Sequence, residues 1–267
     1  MRPIPLVSTS VVERAFKHDR WIVLASLLVV IASAWAYIVA GAGMDMGRMF
    51  GTSDSMSQTW TSGYFLLILV MWCVMMIAMM LPSAAPMILL FAAINRKNDE
   101  RGSPVVSTGI FVTGYVAAWG GFSVIATSLQ WGLEELTLLT PMMASASLPF
   151  GSALLVAAGI YQLTPLKHAC LRHCRSPIDY LGHRWRSGMM GALVMGLEHG
   201  LFCLGCCWVL MALLFYGGVM NLNWIIGLAF YVLLEKVAPA GHWVGRFSGI
   251  ALIVWGTTIL LQYSMST

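Results

Sequence analysis

The chain has 267 residues, 59% of them hydrophobic and 10% charged, with a formal net charge of +4 and a mean hydropathy of +0.80. A soluble domain carries about 25% charged residues, so this composition excludes one. It also excludes a nucleic-acid binder, because the basic residues are spread between apolar runs rather than gathered in a patch.

Residues 1–20 hold Arg2, Arg14, Lys17 and Arg20 ahead of the first apolar run. A signal peptide would begin this way, but no small-residue cleavage site closes the run at 21–40, and it is longer than a signal core. It reads as a first membrane helix that is kept. Further runs of membrane-spanning size, around 20 residues, are expected near 63–91, 105–130, 149–166, 188–216, 219–235 and 245–263. The fold class is therefore an all-α, polytopic membrane helix bundle with seven expected spans. Its organisation reads as a cytoplasmic segment 1–20, one transmembrane domain 21–263 and an external tail 264–267. Except for Arg48, all 15 lysines and arginines fall in the N-terminal segment and the second, fourth and sixth loops. The positive-inside rule then places the N-terminus in the cytoplasm and the C-terminus outside, as in a multi-pass protein of a bacterial inner membrane.

The first external loop carries Met44, Met46 and Met49, with Gly43 and Gly47 between and around them and Met56 shortly after. Thioethers on a flexible loop suit weak capture of a soft ion. The second span holds Met71, Cys73, Met75, Met76, Met79 and Met80, then Pro82 and Pro86, where a kink or break is expected because each proline removes a helical donor. The fourth loop opens with Lys167 and carries Cys170, His173 and Cys174 among arginines, a candidate exit or second metal site.

The fifth span concentrates the chemistry. His199, Cys203 and Cys207 recur at four-residue spacing along one face, with Cys206 beside them. One helix cannot surround an ion, so the antiparallel second span, with Met75, Met76, Met79 and Met80, is the expected source of the remaining ligands. Thiolates and thioethers favour monovalent copper, with zinc as the runner-up. Glu198 and Glu235 are candidates for an ion or proton relay or for acceptors behind the ligands, and Glu235 is also a candidate partner for a charge on the fourth loop. Ala192, Gly196 and Gly200 form a small-residue row that lets another helix come close. Trp21, Trp60, Trp131, Trp185, Trp224 and Trp243 fall near span ends, as aromatic belts do. Six cysteines are present, yet structural disulfides are not expected, because five lie in membrane or cytoplasmic segments.

Several stretches are similar to a known group: residues 75–82 with Pro86, residues 165–167 through Cys170, Cys174, Arg175 and Pro177, then Gly196 through Gly200, Cys203, residues 205–208, Leu210, Met211, Trp224, Glu235 and Lys236. Together they resemble the bacterial DUF2182 family of metal-binding integral membrane proteins, over roughly residues 65 to 260. That resemblance implies that these residues act as a set, without naming the ion. The reading that follows is a membrane protein that binds copper for transport, transfer or storage, exchanging it with a donor or acceptor protein. An accessory subunit of a larger membrane complex, ligating a haem or pigment through His199, is the alternative. A membrane thiol oxidoreductase using Cys206 and Cys207, or Cys170 and Cys174, is a minor one. No nucleotide-binding motif appears, so the chain reads as a carrier rather than an enzyme.

Overall fold

The computed structural model describes residues 9–41, 60–98, 104–140 and 143–266. These residues form ten helices: α1 (Thr9–Gly41), α2 (Ser62–Asn98), α3 (Pro104–Glu135), α4 (Leu148–Leu163), α5 (Pro165–Arg175), α6 (Pro177–Arg184), α7 (Gly188–Ala212), α8 (Leu214–Gly217), α9 (Leu222–Val237) and α10 (Gly241–Ser266). Met44, Met46, Met49 and Met56 lie outside the described residues.

Among the described residues, five helices are long and apolar enough to cross a membrane: the part of α1 from Trp21, α2, α3, α7 with α8, and α10. The pair α4 and α5, bent by 65° at its junction, makes a sixth if it counts as one span. The remaining expected crossing, 219–235, corresponds to α9. At 16 residues it rises about 24 Å, short of a hydrocarbon core of about 30 Å. The fold is thus a multi-span helical membrane bundle with five or six spans defined by length and composition.

Local chemistry explains the breaks. The Ser147 side chain accepts from the Phe150 amide to start α4. Thr164 ends that helix and, with its hydroxyl oxygen accepting from the Lys167 amide at 3.3 Å, starts the next. Pro165 and Pro177 occupy the first turns of α5 and α6, where a missing N–H costs nothing. Of the kink or break expected at Pro82 and Pro86, the break does not occur, because α2 runs through both. Pro82 leaves the Ala78 carbonyl without its helical donor, and the Trp35 indole of α1 supplies one at 3.1 Å. In hydrocarbon, where no water can do so, that bond keeps the helix whole.

The most extensive packing is between α3 and α7 and between α4 and α10. The row Ala192, Gly196 and Gly200 faces α3. A Cβ on Gly196 would fall on the Phe111 carbonyl, one on Gly200 on Ala118, and one on Gly114 of α3 on the Leu193 carbonyl. The backbones meet because neither side has a Cβ in the way. Gly159 of α4 faces the Gly249 carbonyl of α10 in the same manner. By contrast α1 and α10 turn much of their apolar surface outward, as helices against lipid do.

Trp35→Phe should lower stability by about 1–3 kcal/mol, the cost of a buried carbonyl left without a donor. Thermal unfolding in detergent measures it. The same substitution should cost much less in a Pro82→Ala background, where the backbone at position 82 regains an N–H for the Ala78 carbonyl.

Candidate metal centre

Periodicity places His199, Cys203, Cys206 and Cys207 on the buried side of α7, and all four are buried. The Cys206 and Cys207 thiols donate back to the Cys203 carbonyl, at 3.0 and 2.9 Å. The Cys207 sulfur also lies 3.9 Å from the Met80 sulfur of α2. The second and fifth spans therefore do meet at one level, but through Met80. Met75, Met76 and Met79 are buried in the surrounding apolar core.

The sequence points to α2 as the direct neighbour completing the site. Instead α7 packs principally on α3 and α5. The glycine notch explains this: it lets α3 seat against the α7 backbone, and α2 reaches the α7 cysteines through the Met80 side chain. Helix α5 brings further thiols to this region. Cys174, half-buried, lies near Cys203 and Cys206, and the Cys170 sulfur lies 2.8 Å from where a Cβ on Gly205 would be. Tyr161 of α4 donates to the Gly205 carbonyl and pins this approach. Cys170 and Cys174 thus lie beside the α7 cysteines. All six cysteines are free thiols.

Lys236 enters this cluster from α9, a place that the sequence reading does not assign to it. Its ammonium is buried and donates to the Cys203 sulfur at 2.9 Å and to the Ser83 hydroxyl at 3.0 Å. Tyr115 of α3 reaches the same sulfur at 3.0 Å and donates to the Met80 carbonyl at 3.1 Å. The signal available in the sequence is the adjacency of Glu235 and Lys236: consecutive helical residues point about 100° apart, so two buried charges there need two different partners. Glu235 takes Lys167, at 2.5 Å, with both side chains almost fully buried. Lys167 is the first charge of the fourth loop region, so Glu235 does find a partner there.

The other candidates have defined places. Glu198 lies on the flank of α7 and accepts from Arg184 at 3.2 Å and Arg186 at 2.9 Å. His199 is buried among the rings of Phe111, Tyr115 and Tyr180, and its Nδ1 has no hydrogen-bond partner. Tyr180, outside the spanning helices, donates to the Met195 carbonyl at 2.9 Å, and burial pushes its phenol well above the usual range, with Glu198 adding to the shift.

Among the described residues, no three His, Cys, Asp or Glu side chains stand in metal-coordinating geometry. The donors themselves suit a soft ion: thiols of α5 and α7 and the Met80 thioether of α2 lie near one another in the interior. Two of those thiols rest on a backbone carbonyl of their own helix, from which a side-chain rotation frees them.

A multi-span helical membrane protein with thiols and a thioether gathered around a buried ammonium is a soft-metal handler by class. The family whose model matches, over residues 69–259, is described as PpoB2, copper chaperone. The chain belongs to that family, and it is a membrane protein handling copper as a carrier handles its cargo. This match replaces the resemblance to the DUF2182 family: the His, Cys and Met motifs report soft-metal chemistry, but they do not by themselves fix which family holds them. No curated protein and no solved structure matches the chain.

Glu235→Gln should destabilise the fold by about 3–5 kcal/mol, because it strands the Lys167 ammonium in an apolar interior. Lys167→Met combined with Glu235→Leu should recover most of that loss, as read from thermal unfolding of the purified protein.

Proposed function

We propose that the chain binds Cu(I) through two thiolates drawn from the group Cys203, Cys207, Cys206 and Cys174, with Met80 as a nearby thioether ligand, and passes it to or from a protein or small-molecule partner. The observation that carries this reading is Lys236. Monovalent copper held by two thiolates is a unit of net charge −1, and the buried ammonium beside Cys203 balances it to zero. Loading leaves both ligating sulfurs as metal-bound thiolates and releases any proton they carried, so no uncompensated charge is left in the bilayer. Neutrality matters there, since an unpaired ion in the interior costs several kcal/mol.

The site is one half thiol face, on α7, and one half contributions from α2, α5 and α9. His199 stands one turn from Cys203 on the same face and supports relay of the ion along α7. Met44, Met46 and Met49 are proposed as a capture segment on the opposite side of the membrane.

The proposed topology has seven crossings, with α4 and α5 as one bent span and α9 as a short one, in a bacterial inner membrane. Alternation of the basic residues supports a cytoplasmic N-terminus and an external C-terminus. An alkaline phosphatase fused after Thr267 should be active and one fused after Arg186 inactive. The reverse pattern would overturn the orientation.

Anaerobic titration of the reduced, detergent-purified protein against a Cu(I) chelator tests the site. Wild type should retain copper, and Cys203→Ser with Cys207→Ser should lose it. Lys236→Met should weaken binding about 10- to 100-fold, the range found when groups supporting a ligand are removed, while Lys236→Arg should restore part of it. Zinc or haem in the purified protein in place of copper, or unchanged copper in the double cysteine variant, would sink the proposal.

A further inference from the structure

Helices α5 and α6 enclose an open cavity of about 260 Å³ whose lining includes Arg172, His173, Asp179, Tyr180, His183 and Arg184. We infer that this cavity receives the metal as an anionic Cu(I)–thiolate complex, with His173 and His183 as the exchange ligands between that carrier and the buried thiols. The inference rests on the copper reading above and adds the chemical class of the partner and the place where it docks.

Three observations support it. First, the two histidines are set in one tautomer. His173 Nδ1 lies 2.9 Å from the Ala169 carbonyl and His183 Nδ1 lies 2.9 Å from the Asp179 carbonyl. A carbonyl only accepts, so each Nδ1 carries the hydrogen, and each Nε2 of a neutral ring keeps a free lone pair, the form that binds metals. His173 is further fixed by stacking on Phe202, 4.2 Å between ring centroids and 2° between planes.

Second, the charge of the lining suits an anion. Two guanidiniums face one carboxylate, so a bare Cu(I) ion would be repelled while a Cu(I) bis-thiolate would be attracted. Arg184 is held in place over the Phe202 ring and by Glu198. Third, the cavity adjoins the buried site. Tyr180 lines it and stands 5.7 Å, centroid to centroid, from His199. His199 has an unpartnered, buried Nδ1 and shares a helix face with Cys203. One aromatic side chain thus separates the cavity from the first buried donor.

The exchange balances without any redox step. The two copper–sulfur bonds to the carrier break in turn as copper–nitrogen bonds to histidine form. The ion then passes to two cysteine sulfurs, and both carrier sulfurs leave, taking up as free thiols whatever protons those cysteines give up.

The test follows loading of the reduced, full-length protein in detergent by the ultraviolet thiolate-to-copper absorption. Copper is supplied either as its anionic glutathione complex or as the cationic acetonitrile complex. His173→Ala with His183→Ala should slow loading from the glutathione complex about tenfold and leave the final copper stoichiometry unchanged. Arg172→Gln should slow loading from the anionic complex and not from the cationic one, whereas Asp179→Asn should speed it, each by up to about tenfold. All four side chains are at least partly exposed, so the variants should fold, and opposite effects at Arg172 and Asp179 are not what a general loss of structure produces. Wild-type loading rates in the double histidine variant, with full final stoichiometry, would overturn the inference and leave the buried site standing. Failure of wild type to take copper from either complex would overturn both.

Discussion

Lys236 sets the terms for the centre of the molecule. An ammonium in a bilayer interior cannot turn to water, so every group around it has to answer its charge or its donors. Ser83 and Cys203 do so directly, and Tyr115 binds the same sulfur from the other side. Because Glu235 is already committed to Lys167, the negative charge that would balance Lys236 has to come from the sulfur cluster. Four helices are tied to one point by that requirement: α2 through Ser83 and Met80, α3 through Tyr115, α7 through its cysteines and α9 through the lysine.

The glycine notch is what allows those four helices to be so close. Gly196 and Gly200 bring the α7 backbone against Phe111, Tyr115 and Ala118, which places the Tyr115 hydroxyl within reach of Cys203. A methyl group at Gly196 would push α3 outward, and the Tyr115 contact would open with it. Gly205 does the same service on the other side, where its missing Cβ leaves room for the Cys170 sulfur. The small residues and the sulfur atoms are therefore parts of one construction: the former set the distance at which the latter meet.

Much of this is legible in the sequence, and the rest is hidden for a definite reason. The apolar runs, the soft-ligand face of α7 and the small-residue row follow from spacing along one helix, which sequence reports well. Which helix fills which groove is another matter. Spans that are apolar all round give no periodic mark of their neighbours, so the sequence suggests α2 against α7 where α3 and α5 pack instead. The merging of Cys174 with the α7 thiols depends on the 65° bend at Thr164 and Pro165. The proline marks that break, but no local pattern gives its direction. Pro82 shows the converse: a local rule points to a break, and a donor 43 residues earlier in the chain removes the need for one.

The same fixed ammonium bears on which ion the cluster suits. A divalent ion with two thiolates would be neutral alone and leave Lys236 uncompensated, so three thiolates would be needed to restore balance. Zinc also asks for four ligands in a tetrahedron, which would draw Cys174, Cys203, Cys206 and Cys207 together and strip Cys206 and Cys207 from the carbonyl they share. Monovalent copper needs two thiolates and is served by a nearby thioether, so Cys207 and Met80 can act from positions close to those they already hold. The difference lies in how much of the buried hydrogen bonding must be undone on loading. That difference also bears on release, since an ion held by few ligands at little structural cost can be surrendered at little cost, and a chaperone must give its cargo up.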